Sequence, residues 1–137
     1  MTGQDRQEEI GANWTRATES LSAARVLVEA GHPDFAASRS YYAAFYAACA
    51  LLLSENREFG RHSGVLAAVH REYVRTGRLA EEHGRSFSWL FELRGIADYG
   101  ESRHVPHDEA LKAIAAADRF VKACGALLRQ AGHPPPA

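Results

Sequence analysis

From Tyr41 to Leu53 the chain reads Tyr-Tyr-Ala-Ala-Phe-Tyr-Ala-Ala-Cys-Ala-Leu-Leu-Leu, with no charged side chain. A run of this length cannot cross a bilayer, which takes about 20 apolar residues. It reads instead as a buried helix extending from about Asp34, as its N-cap, to Asn56. Two stripes adjoin on it: Tyr41, Phe45, Ala48 and Leu52, and beside them Arg39, Tyr42, Tyr46, Cys49 and Leu53. A helix apolar around most of its circumference belongs at the centre of a bundle, where other helices cover it on several sides.

Four further helices follow from spacing. Ile10, Trp14, Ala17, Leu21, Ala24 and Val28 recur at alternating intervals of four and three, which predicts one long helix over about residues 5–30. Gly31-His32-Pro33 ends it. A third helix starts near Ser63, packs Leu66, Val69 and Tyr73, and stops at Thr76-Gly77. A fourth begins at Leu79 or at Ser86, since Gly84 interrupts the pattern, and runs to Tyr99 before Gly100-Glu101-Ser102. The fifth begins near Pro106, with Asp108 and Glu109 in its first turn and Leu111, Ile114, Ala117, Val121, Cys124 and Leu128 on one stripe. No strand-like alternation competes. The expected fold is all-α, an antiparallel up-and-down bundle of about five helices. One domain spans residues 1–131, and residues 132–137, ending in Pro-Pro-Pro-Ala, form a disordered tail.

The 137 residues suffice for one core without staples, and 46% hydrophobic with 24% charged residues is ordinary globular usage. The N-terminus lacks the basic start and apolar run of a secretory signal, so the expected location is cytoplasmic, with no membrane partner. Cys49 and Cys124 lie on apolar stripes as small hydrophobes. A net charge of −1 argues against polyanion binding by bulk electrostatics. Arg57, Arg61, Arg71, Arg75 and Arg78, against Glu58 and Glu72, form a local basic patch that reads either as a phosphate-binding face or as a solvated helix surface. A ferritin-like metal site needs Glu-x-x-His on two helices, and Glu101 to His104, in a loop, does not meet that; no metal or cofactor is expected.

Two arginines stand where the pattern calls for apolar residues. Arg39 shares a stripe with Tyr42 and Tyr46, and Arg94 shares one with Phe87 and Phe91. A guanidinium in such a place needs a carboxylate, a phosphate or an aromatic face. Asp98, at i+4 from Arg94, makes an intrahelical pair one reading. A phosphate-binding groove between subunits, with Asp98 and Tyr99 orienting the arginine or its ligand, is the other.

Ala36-Ala37-Ser38-Arg39-Ser40-Tyr41-Tyr42-Ala43-Ala44-Phe45-Tyr46, then Arg61-His62-Ser63-Gly64-Val65, then Leu90-Phe91-Glu92-Leu93-Arg94-Gly95-Ile96-Ala97-Asp98-Tyr99 resemble the small stand-alone HEPN proteins. With the helix order, the resemblance covers about residues 10–130. It implies an HEPN-like bundle that forms a homodimer and is often paired, as toxin with antitoxin, with a minimal nucleotidyltransferase. In active members it also implies a metal-independent ribonuclease. There an arginine is followed after four to six residues by a histidine, and two such motifs face each other across the dimer cleft. Histidine moves protons at the ribose 2′-hydroxyl or the leaving oxygen, and arginine neutralises charge on the phosphate.

Arg94 occupies the arginine position, but Tyr99, Gly100 and Glu101 stand where the histidine belongs. His104, in the following loop, reaches the site only if that loop folds back. The candidate catalytic residues are therefore Arg94, Asp98, Tyr99 and His104, and the candidate ligand-binding residues are Arg39, Tyr42 and His62. His62, beside Ser63-Gly64 at a helix entrance, reads either as a phosphate contact or as a capping and packing residue. By the same resemblance Tyr99 is a candidate acceptor of a nucleotide attached by the partner transferase, or a tyrosine packed at a helix end. The leading expectation is the HEPN half of a toxin and antitoxin pair acting on or binding RNA or nucleotide at a dimer cleft. The rival is a non-catalytic helical dimer that binds a nucleotidyltransferase or a nucleotide, and the displaced histidine favours it.

Overall fold

The computed structural model describes residues 2–135, and among them the regular structure is helical throughout: α1 (Gly3–Glu29), α2 (Pro33–Ser54), α3 (His62–Val69), α4 (Glu81–Tyr99) and α5 (His107–Gln130). One π-helical turn, His70–Val74, continues α3. Of the tail expected over residues 132–137, Pro136 and Ala137 lie outside the described residues. Gly132 takes a positive φ of 84°, and the amide of His133 donates to the carbonyl of Leu128 at 2.8 Å, closing the end of α5.

α2 is the axle. Ala36, Ala37, Ala43, Ala44, Ala47, Ala48 and Ala50 are all fully buried, and such small side chains let neighbouring helices come close. α1, α4 and α5 pack around it. α1 and α5 run antiparallel. His133 just past α5 bonds Gln7 on α1 at 2.6 Å, Gly125 meets Trp14, and Arg25 pairs with Asp118 at 3.5 Å, so numbers rise on one helix as they fall on the other. Phe87 on α4 and Phe120 on α5 meet at 4.9 Å between ring centroids, and both are fully buried. Burial of each such ring contributes about 2 kcal/mol.

Two local expectations are corrected. α2 begins at Pro33, whose missing N–H costs nothing in a first turn, so His32 and not Asp34 holds the cap position. Asp34 instead accepts from the Val105 amide at 2.7 Å, tying the α4–α5 connection to the start of α2. Gly84 does not interrupt α4. It lies inside the helix, buried, where a Cβ would come within 3.0 Å of both His70 Cε1 and Val74 Cγ2. Glycine here lets α4 pack against the π-helical turn, across which His70 Nε2 meets Ser88 Oγ at 2.9 Å.

At Gly125 a Cβ would stand 2.8 Å from Trp14 Cη2, and the Trp14 ring is only 8% exposed. Gly125→Ala gains about 1 kcal/mol of helix propensity but displaces a rigid ring in a packed core, a change that costs about 1–3 kcal/mol. The expected result is a lower melting temperature by circular dichroism. A Tm at or above the parent's would mean that Trp14 slides aside freely.

Candidate functional site

The site grows from α4's aromatic stripe where it meets α2. Arg94 Nη2 donates to Tyr42 Oη at 3.0 Å, and the guanidinium carbon lies 5.6 Å from the ring centroids of both Tyr41 and Tyr42 and 5.7 Å from that of Tyr99. Asp98 Oδ2 approaches Nε at 3.3 Å but outside hydrogen-bonding geometry, so the buried Nε has no hydrogen-bond partner among the described residues. The aromatic rings stabilise the charge that this half-buried position would otherwise penalise. The bond to Tyr42 raises the arginine's pKa against the opposing effect of burial, with Tyr99 and Asp98 adding to the rise, and it stays charged at any working pH. Its Nη1 has no hydrogen-bond partner among the described residues and is the group that can meet a ligand.

His62, the first residue of α3, stacks on Phe45 at 4.1 Å and 16°. Its Nδ1 lies 2.7 Å from the hydroxyl of Tyr41. Tyr41 is fully buried, and burial pushes its pKa up, so the hydroxyl keeps its proton. Stranding a buried donor is costly, so Tyr41 donates to Nδ1 and the neutral imidazole carries its hydrogen on Nε2. Burial, and then the charge of Arg94, hold the pKa of His62 below its ordinary 6.5. Tyr41 and Tyr42 flank both groups: His62 lies 5.7 Å and 5.8 Å from their rings. A folded pKa below the unfolded one means that the unfolded chain takes up the proton first. The contribution of neutral His62 is therefore complete above about pH 6.5 and is lost as pH falls toward its folded value. His62→Gln is expected to flatten the decline of stability just below pH 6.5, measured by urea unfolding at stepped pH. An unchanged slope would show that His62 titrates normally.

The family model for the HEPN domain matches residues 12–127. This chain belongs to the HEPN family. A UPF0332 protein of Thermotoga maritima is 38% identical to it over 125 residues, covering 90% of this chain and 95% of that protein. A protein of Methanocaldococcus jannaschii named as a candidate toxin is 36% identical over 121 residues, 88% of this chain and 90% of its own. A UPF0332 protein of Gloeobacter violaceus is 37% identical over 116 residues, 84% and 92% of the two chains. The all-helical architecture is that of an HEPN chain.

Of the HEPN site residues expected from sequence, Arg94, Tyr42, Asp98, Tyr99 and His62 gather in one cluster. Tyr99 is 73% exposed at its edge. Arg39 joins from α2, its guanidinium carbon 4.5 Å from the Tyr42 ring centroid. His104 is held elsewhere: its Nδ1 bonds Asp34 Oδ2 at 2.7 Å, on the strap that ends in Val105. Burial works to raise the Asp34 pKa, but the Val105 amide and His104 outweigh it, and the carboxyl sits below its usual range. The basic patch is neutralised only in part: Arg57 and Arg71 pair with Glu72, and Arg78 pairs with Glu55 at 2.6 Å. Two contributors were missed in sequence: Tyr41 and Phe45, which read as core. No group of three metal-ligating side chains exists among the described residues, and no described helix is long and apolar enough to cross a membrane.

Proposed function

We propose that this chain is the RNA-binding HEPN half of a toxin and antitoxin pair, working as a homodimer in which two Arg94 centres face each other across a cleft. The observation that carries the reading is the pairing of a permanently charged, Tyr42-held guanidinium with a neutral imidazole on the same two tyrosine rings. Arg94 offers a phosphate its free N–H groups, and His62 offers Nε2–H. The exposed ring of Tyr99 supplies a face on which a base can stack. A minimal nucleotidyltransferase is the partner that would cover or modify this cleft, with Tyr99 as the accessible acceptor.

Strand cleavage is a second reading, favoured by the carboxylate of Asp98 beside Arg94. In it, Asp98 takes the proton of a ribose 2′-hydroxyl and the 2′-oxygen attacks phosphorus. The bond to the 5′-oxygen then breaks, and that oxygen takes a proton from water, while Arg94 and the Nε2–H of His62 stabilise the phosphate's charge. His104 serves neither reading and instead holds the loop after Tyr99.

The test is incubation of purified, partner-free protein with total RNA and transfer RNA in chelator, beside Arg94→Ala. Binding without cleavage supports the first reading, and cleavage by the parent alone supports the second. Absence of both from a folded dimer overturns both.

A further inference from the structure

Arg39 touches more than the Arg94 centre. It also lines an open groove of about 340 Å³ between α1 and α2, together with Arg16, Glu19, Ser20, Ala23 and Tyr46. The two places are continuous. Arg94 and Arg39 both lie over the Tyr42 ring, the Tyr42 and Tyr46 rings lie 6.0 Å apart, and the Arg16 guanidinium carbon lies 5.7 Å from the Tyr46 ring centroid. Tyr42 and Tyr46 are one helical turn apart, roughly 6 Å along α2. Neither Arg16 nor Arg39 has a carboxylate within ion-pair distance among the described residues.

Resting on the RNA-binding reading, we propose that this groove is a second subsite, which takes the nucleotide next to the one held at Arg94 when a single strand lies across α2. Arginines stacked on tyrosines present their outer planes to bases and their N–H edges to phosphate, a combination suited to single-stranded RNA. A volume of about 340 Å³ lies at the small end of ligand sites, enough for one nucleotide and not for a duplex. Glu19 is the one carboxylate in the lining, so the groove carries a net positive charge from Arg16 and Arg39 against it.

The experiment measures fluorescence anisotropy of a labelled mononucleotide and of a short single-stranded RNA carrying 2′-O-methyl groups, which prevent cleavage, at several salt concentrations. Arg16 is exposed, so Arg16→Ala should fold like the parent. Arg16→Ala is expected to bind the mononucleotide like the parent but the oligonucleotide about fivefold to tenfold more weakly, with the salt slope reduced by about 0.7 for the lost phosphate contact. Glu19→Gln should tighten oligonucleotide binding. Parent-like oligonucleotide binding by Arg16→Ala, with Arg94→Ala impaired, would overturn the groove subsite and leave the Arg94 reading intact. No binding of either probe by the parent overturns both. A shift of Arg16→Ala from dimer to monomer on gel filtration would assign the groove to contact between copies, and the proposal fails.

Discussion

Arg94→Ala is expected to weaken binding of single-stranded RNA about 10- to 100-fold and to abolish growth arrest on expression without a partner, while the protein stays folded. A hydrogen bond to a charged group contributes about 1.5–3 kcal/mol, and each 1.4 kcal/mol is about tenfold in affinity. The fold should tolerate the change. Alanine forfeits the bond to Tyr42 and the contacts with three rings, but it also removes a buried Nε that has no hydrogen-bond partner, so the two effects offset each other. Arg94→Lys separates charge from geometry. An ammonium keeps the charge but cannot reach Tyr42 and fork onto a phosphate at once, so an intermediate affinity is expected. Filter binding beside thermal melts measures both quantities. Parent-like affinity in a folded Arg94→Ala protein would place the phosphate site elsewhere.

What the sequence reveals divides by range. Helices α1, α2 and α5 are legible because their stripes repeat over many turns, and a long repeat averages out single exceptions. Arg94 and Arg39 are legible as candidates because charge on an apolar stripe demands a partner. What stays hidden depends on partners distant in the chain. Asp34 looks like a cap because caps are local, whereas its actual partner, the Val105 amide, lies 71 positions away. Tyr41 reads as core and is core, yet its hydroxyl fixes the tautomer of His62 from 21 positions away. Counting charges over residues 57–78 suggests a basic patch, but Glu55, outside that window, neutralises Arg78 across space. Gly84 reads as an interruption because the close approach of His70 and Val74, which calls for a glycine, cannot be seen along one helix. The family resemblance supplies the arginine's position, while the partnership of Arg94 with His62 around two tyrosines emerges only when α2, α3 and α4 are packed together.

Tyr41 joins that packing to the site, and two substitutions separate its roles. Its ring is fully buried against Phe45, Phe87 and Phe91, at centroid distances of 5.8, 6.1 and 5.6 Å, and its hydroxyl holds His62. Tyr41→Ala removes the ring from the meeting point of three helices and is expected to cost about 3–5 kcal/mol. Domains are commonly stable by only about 5–15 kcal/mol, so partial unfolding near body temperature is the expected outcome, seen as a much lower urea midpoint. Tyr41→Phe keeps the ring and removes the donor to Nδ1, for a cost of about 0.5–1.5 kcal/mol. That protein should remain folded, with His62 no longer fixed in its Nε2–H tautomer and RNA affinity reduced severalfold. Combining Tyr41→Phe with His62→Ala tests the link, because two residues in one hydrogen bond show a coupling of about 0.5 kcal/mol or more in a double-mutant cycle. Strict additivity would mean that the hydroxyl and the imidazole are neighbours without a shared role, and the tautomer assigned to His62 would lose its basis. A Tyr41→Phe protein as unstable as Tyr41→Ala would instead mean that the hydrogen bond, more than the ring, holds α3 against α2.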